Sequence, residues 1–340
     1  MIARARGIGA AFALLAALLL ALAPASPAWA QEQQVNPTEL SVQEEALLEA
    51  LTSGEALAGR VSIPNERAAD LIKPGGRDWS AFHSTTMFAV SLWSVVGILA
   101  LLAVFYLVRG RIRIDAGPSG RRIRRFNGLE RFAHWLTAVP FVLLALTGLN
   151  IVLGRQLLLP LIGPEVFAQV SAFAKLGHNF LAWPFMLGVV LIFLIWVKDN
   201  MPSRVDGQWI AAGGGLLKKG VHPPARKFNA GQKLIFWSVV IGGAALSVTG
   251  FFLIFPELAG PSANWHLAQV VHGLVAAAMA VIILAHIYIG SIGMEGAFDA
   301  MGSGEVDLNW AKEHHSLWVE EEMGRRAGAA GPKGRVAPAE

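Results

Sequence analysis

Four histidines fall inside stretches of sequence that otherwise carry no charge: His134, His178, His272 and His286. Burying an imidazole in an apolar helix is expensive, and within a membrane span such a residue marks function by default. Its ring nitrogens can ligate a metal or relay a proton. A proton or cation relay normally recruits carboxylates as well, and none of the apolar stretches contains Asp or Glu. His272 and His286 share one stretch, fourteen residues apart. In a helix that interval covers ~21 Å and returns to within about 40° of its starting direction, so both rings leave one face near opposite ends. His266, twenty residues before His286, lies about 200° around the same helix and faces elsewhere. A lone histidine here would fit an interhelical hydrogen bond equally well; four in register argue for ligation.

The elements that must hold these rings follow from composition. Of 340 residues, 54% are hydrophobic and only 15% charged, against about 25% charged in soluble domains, which places the chain in a membrane. Five uncharged runs, 84–108, 132–154, 176–197, 234–256 and 258–294, each supply the ~20 residues that cross a ~30 Å hydrocarbon core. The helix in the last run is predicted to begin near Trp265, after Pro261. Lipid admits only helices or closed barrels, and no strand-like alternation is visible. The predicted fold is therefore all-α, a polytopic transmembrane helix bundle. Arginines crowd the connection between the first and second runs, and lysines and arginines that between the third and fourth. The other connections hold only Arg155 and Lys175. Basic loops stay in the cytoplasm, so the chain before residue 84 lies outside and the tail after about residue 295 inside.

With that orientation the histidines sort by depth. His134 and His286 lie toward the cytoplasmic surface, and His178 and His272 toward the outer one. Two imidazoles facing each other across helices, with no acidic partner, suit the axial positions of a haem iron. Zinc usually takes four protein ligands, or three and a water. The absence of cysteine removes disulfides, thiolate and iron–sulfur sites, and covalent c-type haem. Gly148, Gly250, Gly273 and Gly290 stand near these positions and would admit a flat macrocycle; ordinary small-residue packing is the alternative for each.

Residues 1–30 combine Arg4 and Arg6, an apolar run and Ala28-Trp29-Ala30, the pattern of a secretory signal peptide cut after Ala30. An uncleaved first span is the alternative. Residues 31–83 are polar, with a capping box at Ser41–Glu44 and too few apolar residues for a core. Acidic residues outnumber basic ones nine to four over 31–82, which fits a basic partner surface. The organisation is then a signal peptide (1–30), a periplasmic segment (31–83), an extra transmembrane helix (84–108), a basic cytoplasmic loop (109–131), a four-helix core (132–294) and a cytoplasmic tail (295–340).

Several short stretches resemble the cytochrome b (gamma) subunit of respiratory formate dehydrogenase. They are Arg131-Phe132-Ala133-His134-Trp135, Leu176-Gly177-His178, Val271-His272-Gly273 and Leu284-Ala285-His286-Ile287-Tyr288. Lys227-Phe228-Asn229-Ala230-Gly231-Gln232-Lys233, Phe236-Trp237 and the tail Trp310-Ala311-Lys312-Glu313-His314-His315 match as well. The likeness covers roughly residues 120–320, and the N-terminal extension looks like that of the family's longer form. The resemblance implies a four-helix dihaem core holding two b haems, one on His178 and His272, the other on His134 and His286. It implies two periplasmic partners, an iron–sulfur beta subunit and a molybdenum or tungsten alpha subunit that oxidises formate. It also implies electron delivery to a quinone, menaquinone or ubiquinone, near the cytoplasmic face of a bacterial inner membrane. No residue of this chain is implied to be catalytic.

Asn229 and Gln232 would carry the quinone site in that reading. The residues alone favour a helix N-terminus, with Asn229 as N-cap and Gln232 at the third position; the two roles are compatible. The alternatives are a cytochrome b serving a hydrogenase or a thiosulfate-type reductase, or a cofactor-free anchor or transporter. A transporter usually shows repeats and a midplane site, and no repeat is evident. No feature points to nucleic acid.

Overall fold

A computed structural model describes residues 76–329 apart from 217 and 261. The expected signal peptide, the capping box at Ser41, almost all of the outer segment and residues 330–340 lie outside the described residues. Five helices are long and apolar enough to span a membrane. They are α1 (Trp79–Arg109), α2 (Gly128–Leu157), α3 (Leu159–Trp196), α4 (Ala230–Ile254) and α5 (Ser262–Tyr288). The helical membrane bundle is thus as expected, but its helix ends are not.

Each of the first three helices starts before its uncharged run. α2 begins four residues early because Asn127 and Glu130 form a reciprocal capping box: the Asn127 side chain accepts from the Glu130 N–H, and the Glu130 carboxylate from the Asn127 N–H. Such a cap satisfies two orphan donors and carries the helix through polar residues. α3 follows α2 almost without a loop. Gly163, at φ 78°, breaks its first turn, and Pro164 restarts the helix where a missing N–H does no harm. From there to Trp196 the helix runs about 50 Å at 1.5 Å per residue, well beyond a ~30 Å hydrocarbon core. His178 therefore lies well inside α3, not in its first turn as the hydropathy run suggested.

Glycines set the close crossings, as small residues do where helices pack in lipid. A Cβ on Gly188 of α3 would collide with Thr137 of α2. One on Gly243 of α4 would lie 2.9 Å from Val189 of α3, and one on Gly242 2.6 Å from Met279 of α5. Phe141, Phe185, Val189, Leu246 and Met279, drawn from α2 to α5, form one buried apolar layer. Met279 is seven residues from both His272 and His286, so the layer divides the bundle midway between them.

The basic loops and the tail gather at one end of the bundle. Arg122–Arg124 (β1) pairs antiparallel with Glu305–Asp307 (β2), Ile123 opposite Val306. Three-residue strands are too short to betray themselves by alternation, which is why the sequence shows only a basic loop and a tail here. Beneath this ladder Ile123, Phe126, Val306, Trp310 and Trp318 are buried with Trp196 at the end of α3. Glu130, buried, ties the loops to the helices. It accepts from Trp196 Nε1 at 2.9 Å and from Lys227 Nζ at 2.8 Å while capping α2. Glu130→Ala removes the returning half of the capping box, while the Asn127 side chain still accepts from the backbone N–H of residue 130. It leaves Lys227 with the more exposed Asp199 as its one carboxylate partner, and it leaves the buried Trp196 N–H without its acceptor, a loss of about 1–3 kcal/mol. The expected result is a clear drop in melting temperature of the detergent-solubilised protein, with Glu130→Gln intermediate. An unchanged melt would mean that the carboxylate is dispensable.

Candidate functional site

Helix α5 carries two of the four histidines, and each meets a different neighbour. His272 faces His178 of α3, ring centres 6.3 Å apart and planes at 62°. His286 faces His134 of α2, 6.2 Å apart and at 57°. The pairing by depth inferred from fourteen-residue spacing is the one the fold adopts. His266 points away, stacked on Trp79 at 6.4 Å and 12°. The His134–His286 pair belongs to the end with the basic loops, and the His178–His272 pair to the far end.

At the far end the protein controls which nitrogen faces inward. Thr147 of α2 lies 2.8 Å from His178 Nδ1, and Thr249 of α4 lies 2.9 Å from His272 Nδ1. Each threonine hydroxyl already donates to a carbonyl one turn back, Leu143 or Ala245. Its oxygen is therefore free to accept from Nδ1–H, which leaves the Nε2 lone pair of both rings available. Partners of this kind orient metal-binding histidines. The next residue in both helices is glycine. A Cβ on Gly148 would sit 3.4 Å from His178 Cε1, and one on Gly250 3.3 Å from His272 Cε1. Sequence reasoning placed these glycines but missed the threonines, although the repeated Thr-Gly pair was there to be read. A cavity of about 400 Å³ surrounds the pair.

The spacing also fits one metal atom between two rings. Bonds of about 2.0 Å on each side, plus roughly 1.2 Å from nitrogen to ring centre, put opposed rings ~6.4 Å apart. Among the described residues no three His, Cys, Asp or Glu side chains converge on a possible metal, so each pair would offer a metal two imidazole nitrogens. At the basic end His134 Nδ1 is buried without a protein partner, and the ring packs edge-on against Trp135.

Residues 125–304, more than half of the chain, match the family described as prokaryotic cytochrome b561. The chain belongs to the prokaryotic cytochrome b561 family. It is a multi-pass membrane protein of the haem b, electron-transferring kind, which sets aside the cofactor-free anchor and the transporter. Two formate dehydrogenase subunits of Escherichia coli strain K12 are similar to this cytochrome. The cytochrome b556(fdo) subunit is 28% identical over 203 residues, 58% of this chain and 92% of that protein. The nitrate-inducible cytochrome b556(Fdn) subunit is 28% identical over 208 residues, 60% and 93% of the two chains. The formate dehydrogenase cytochrome b556 subunit of Haemophilus influenzae is 26% identical over 214 residues, 59% and 84%.

The two amides at the start of α4 are engaged in capping. Asn229 Oδ1 accepts from the Gln232 N–H at 2.9 Å, and Gln232 Oε1 from the Asn229 N–H at 3.2 Å. The cap uses the oxygen of each side chain and not its NH2 group. Beside Gln232 lies a buried cation. Arg125, only 4% exposed, donates through Nη2 to Lys227 O at 2.6 Å and contacts His315 Nε2 at 2.9 Å. Its Nε and Nη1 are buried without partners, while Phe126, Trp310 and Trp318 lie within cation–π range. Burial lowers the Arg125 pKa to about 9, against the pull of Glu130, so the group stays charged at neutral pH. His315 is itself buried. Its Nδ1 donates to Arg226 O at 2.8 Å and its Nε2 accepts from Arg125.

Burial, then Arg125, holds His315 well below the ordinary imidazole pKa, and burial, then His222 and Arg125, lowers His314 to about 4. Asp115 near His314 opposes this, as does the Arg226 carbonyl at His315. The folded protein resists protonation that the unfolded chain accepts, so stability falls with falling pH. The contribution is full above pH 6.5, the ordinary imidazole value, and is lost progressively toward pH 4. Tryptophan fluorescence melts between pH 7 and 4 should show this decline, shallower in His314→Gln. A melting temperature that climbs on acidification would contradict it.

Proposed function

We propose that this chain is the membrane cytochrome b subunit of a formate dehydrogenase complex and binds two b haems. His178 and His272 hold one, and His134 and His286 the other. The observation that carries the reading is the pair of matched imidazole clamps at opposite ends of one helix in a haem b family. Bound there, each haem would supply reversible one-electron ferric–ferrous chemistry. The protein's own part would be to present one imidazole nitrogen from each histidine of a pair, to fix the far-end tautomers through Thr147 and Thr249, and to keep flat space open at Gly148 and Gly250. The apolar layer around Met279 keeps water out between the two sites. The relatives' names favour formate over a hydrogenase or a thiosulfate-type reductase.

The basic end is read as cytoplasmic by the positive-inside rule, in a bacterial inner membrane, with residues before 84 periplasmic and the tail inside. An iron–sulfur subunit and a molybdenum or tungsten subunit would then dock at the far end, with the acidic 31–83 segment as part of their contact surface. Electrons entering there leave at the basic end to menaquinone or ubiquinone, beside Asn229 and Gln232. The NH2 groups not used in the cap can donate to a quinone carbonyl. Each electron crosses most of the membrane dielectric, against ~2.3 kcal/mol per 100 mV of opposing potential.

Two experiments test this. His134→Ala or His286→Ala should each remove one haem, and His178→Ala or His272→Ala the other, read from the absorption and EPR spectra of the purified complex. Loss of the same haem from His134→Ala and His272→Ala would refute the pairing. For the quinone, the double variant Asn229→Asp and Gln232→Glu keeps both capping oxygens and removes both NH2 groups. Quinone reduction should fall about tenfold, equivalent to ~1.4 kcal/mol, while formate still reduces both haems. Unimpaired quinone turnover would leave the two amides as a helix cap and nothing more.

A further inference from the structure

Helix α1 lies outside residues 125–304, the part that matches the family, yet it meets the far-end site along one stripe. Trp79, His83, Met87, Ser91 and Val95, each four residues after the last, all line the cavity around His178 and His272. In an α-helix four-residue steps drift by about 40° each, which would carry so long a stripe off the cavity. Residues His83–Met87 form a π-helical turn, which rotates less per residue and offsets the drift; such turns gather at functional sites. Burial marks the same face. Met87 is 2% and Ser91 5% exposed, against 66% for Trp93 and 82% for Leu107 on the same helix. Gly273, the residue after His272, makes room for Met87: a Cβ there would lie 2.5 Å from the Met87 methyl carbon.

We infer that α1 is an added wall of the far-end haem pocket, and that Met87 is a positioning residue that raises the midpoint potential of that haem. The inference rests on the reading that His178 and His272 hold a haem. An apolar side chain sealed against the turn that carries His272 keeps water and counter-charge away. With two neutral imidazoles, the ferric form carries one more positive charge than the ferrous form. A low-dielectric surrounding disfavours the more highly charged form, so the apolar wall favours reduction.

Redox titration of the purified complex, followed optically, tests this with the other haem as an internal reference. Met87→Leu should leave both potentials where they are. Met87→Gln should lower the far-end potential, Met87→Glu should lower it further, and neither should move the basic-end haem. His272→Ala, run alongside, identifies the component that belongs to this pocket. Retention of both haems in His272→Ala would overturn the assignment of the pocket itself. Loss of one haem there, with both potentials unmoved in Met87→Gln and Met87→Glu, would overturn the wall alone. So would equal shifts of both haems, which would mark a general loosening of the bundle.

Discussion

A histidine in the middle of a lipid-embedded bundle must satisfy two nitrogens without water. At the far end the protein uses one of them. The hydroxyls of Thr147 and Thr249 turn Nδ1 of His178 and His272 toward α2 and α4, and the other nitrogen is left for a ligand. That division governs much else. The threonines must spend their own hydrogens on helix carbonyls. The glycines that follow let each helix pass close to the ring it borders: an added Cβ would touch His178 Cε1 at 3.4 Å and crowd His272 Cε1 slightly at 3.3 Å. Between the two histidine pairs, the packed apolar layer around Met279 fills the middle of the bundle.

The basic end is organised by a different constraint, a charged arginine that is nearly inaccessible. Arg125 is enclosed by three aromatic rings and a neutral histidine. The rings solvate it through their faces, but two of its nitrogens have no protein partner. The tail that supplies Trp310, His315 and Trp318 thus does more than trail into solvent. It closes over the loop between α1 and α2, and the β1–β2 ladder fixes its register there.

Much of this was legible in the residues. The interval between His272 and His286 is a helix-period fact, and charge asymmetry set the depths of His134 and His178, so both pairs could be read without coordinates. Asn229 and Gln232 spell out a capping box, and the cap is what their oxygens form. The repeated Thr-Gly pair stood in the sequence, but which histidine each threonine meets was not legible, because it depends on helix crossings set by Gly188 and Gly243. The start of α3 was hidden for a different reason. Pro164, Glu165 and Lys175 interrupt the hydropathy run without interrupting the helix. Likewise α1 read as a generic span, since its contact stripe holds one titratable residue and is otherwise ordinary.

The unbroken course of α5 through both clamps has a consequence for how such a chain can vary. The fourteen-residue interval works as a fixed ruler. One inserted residue between His272 and His286 would swing one ring by about 100° away from its partner. Four inserted residues would nearly restore its direction but displace it by about 6 Å. Neither edit can be absorbed locally in a continuous helix whose crossings with its neighbours are already close. Insertions and deletions are therefore tolerable only in the connections between the helices.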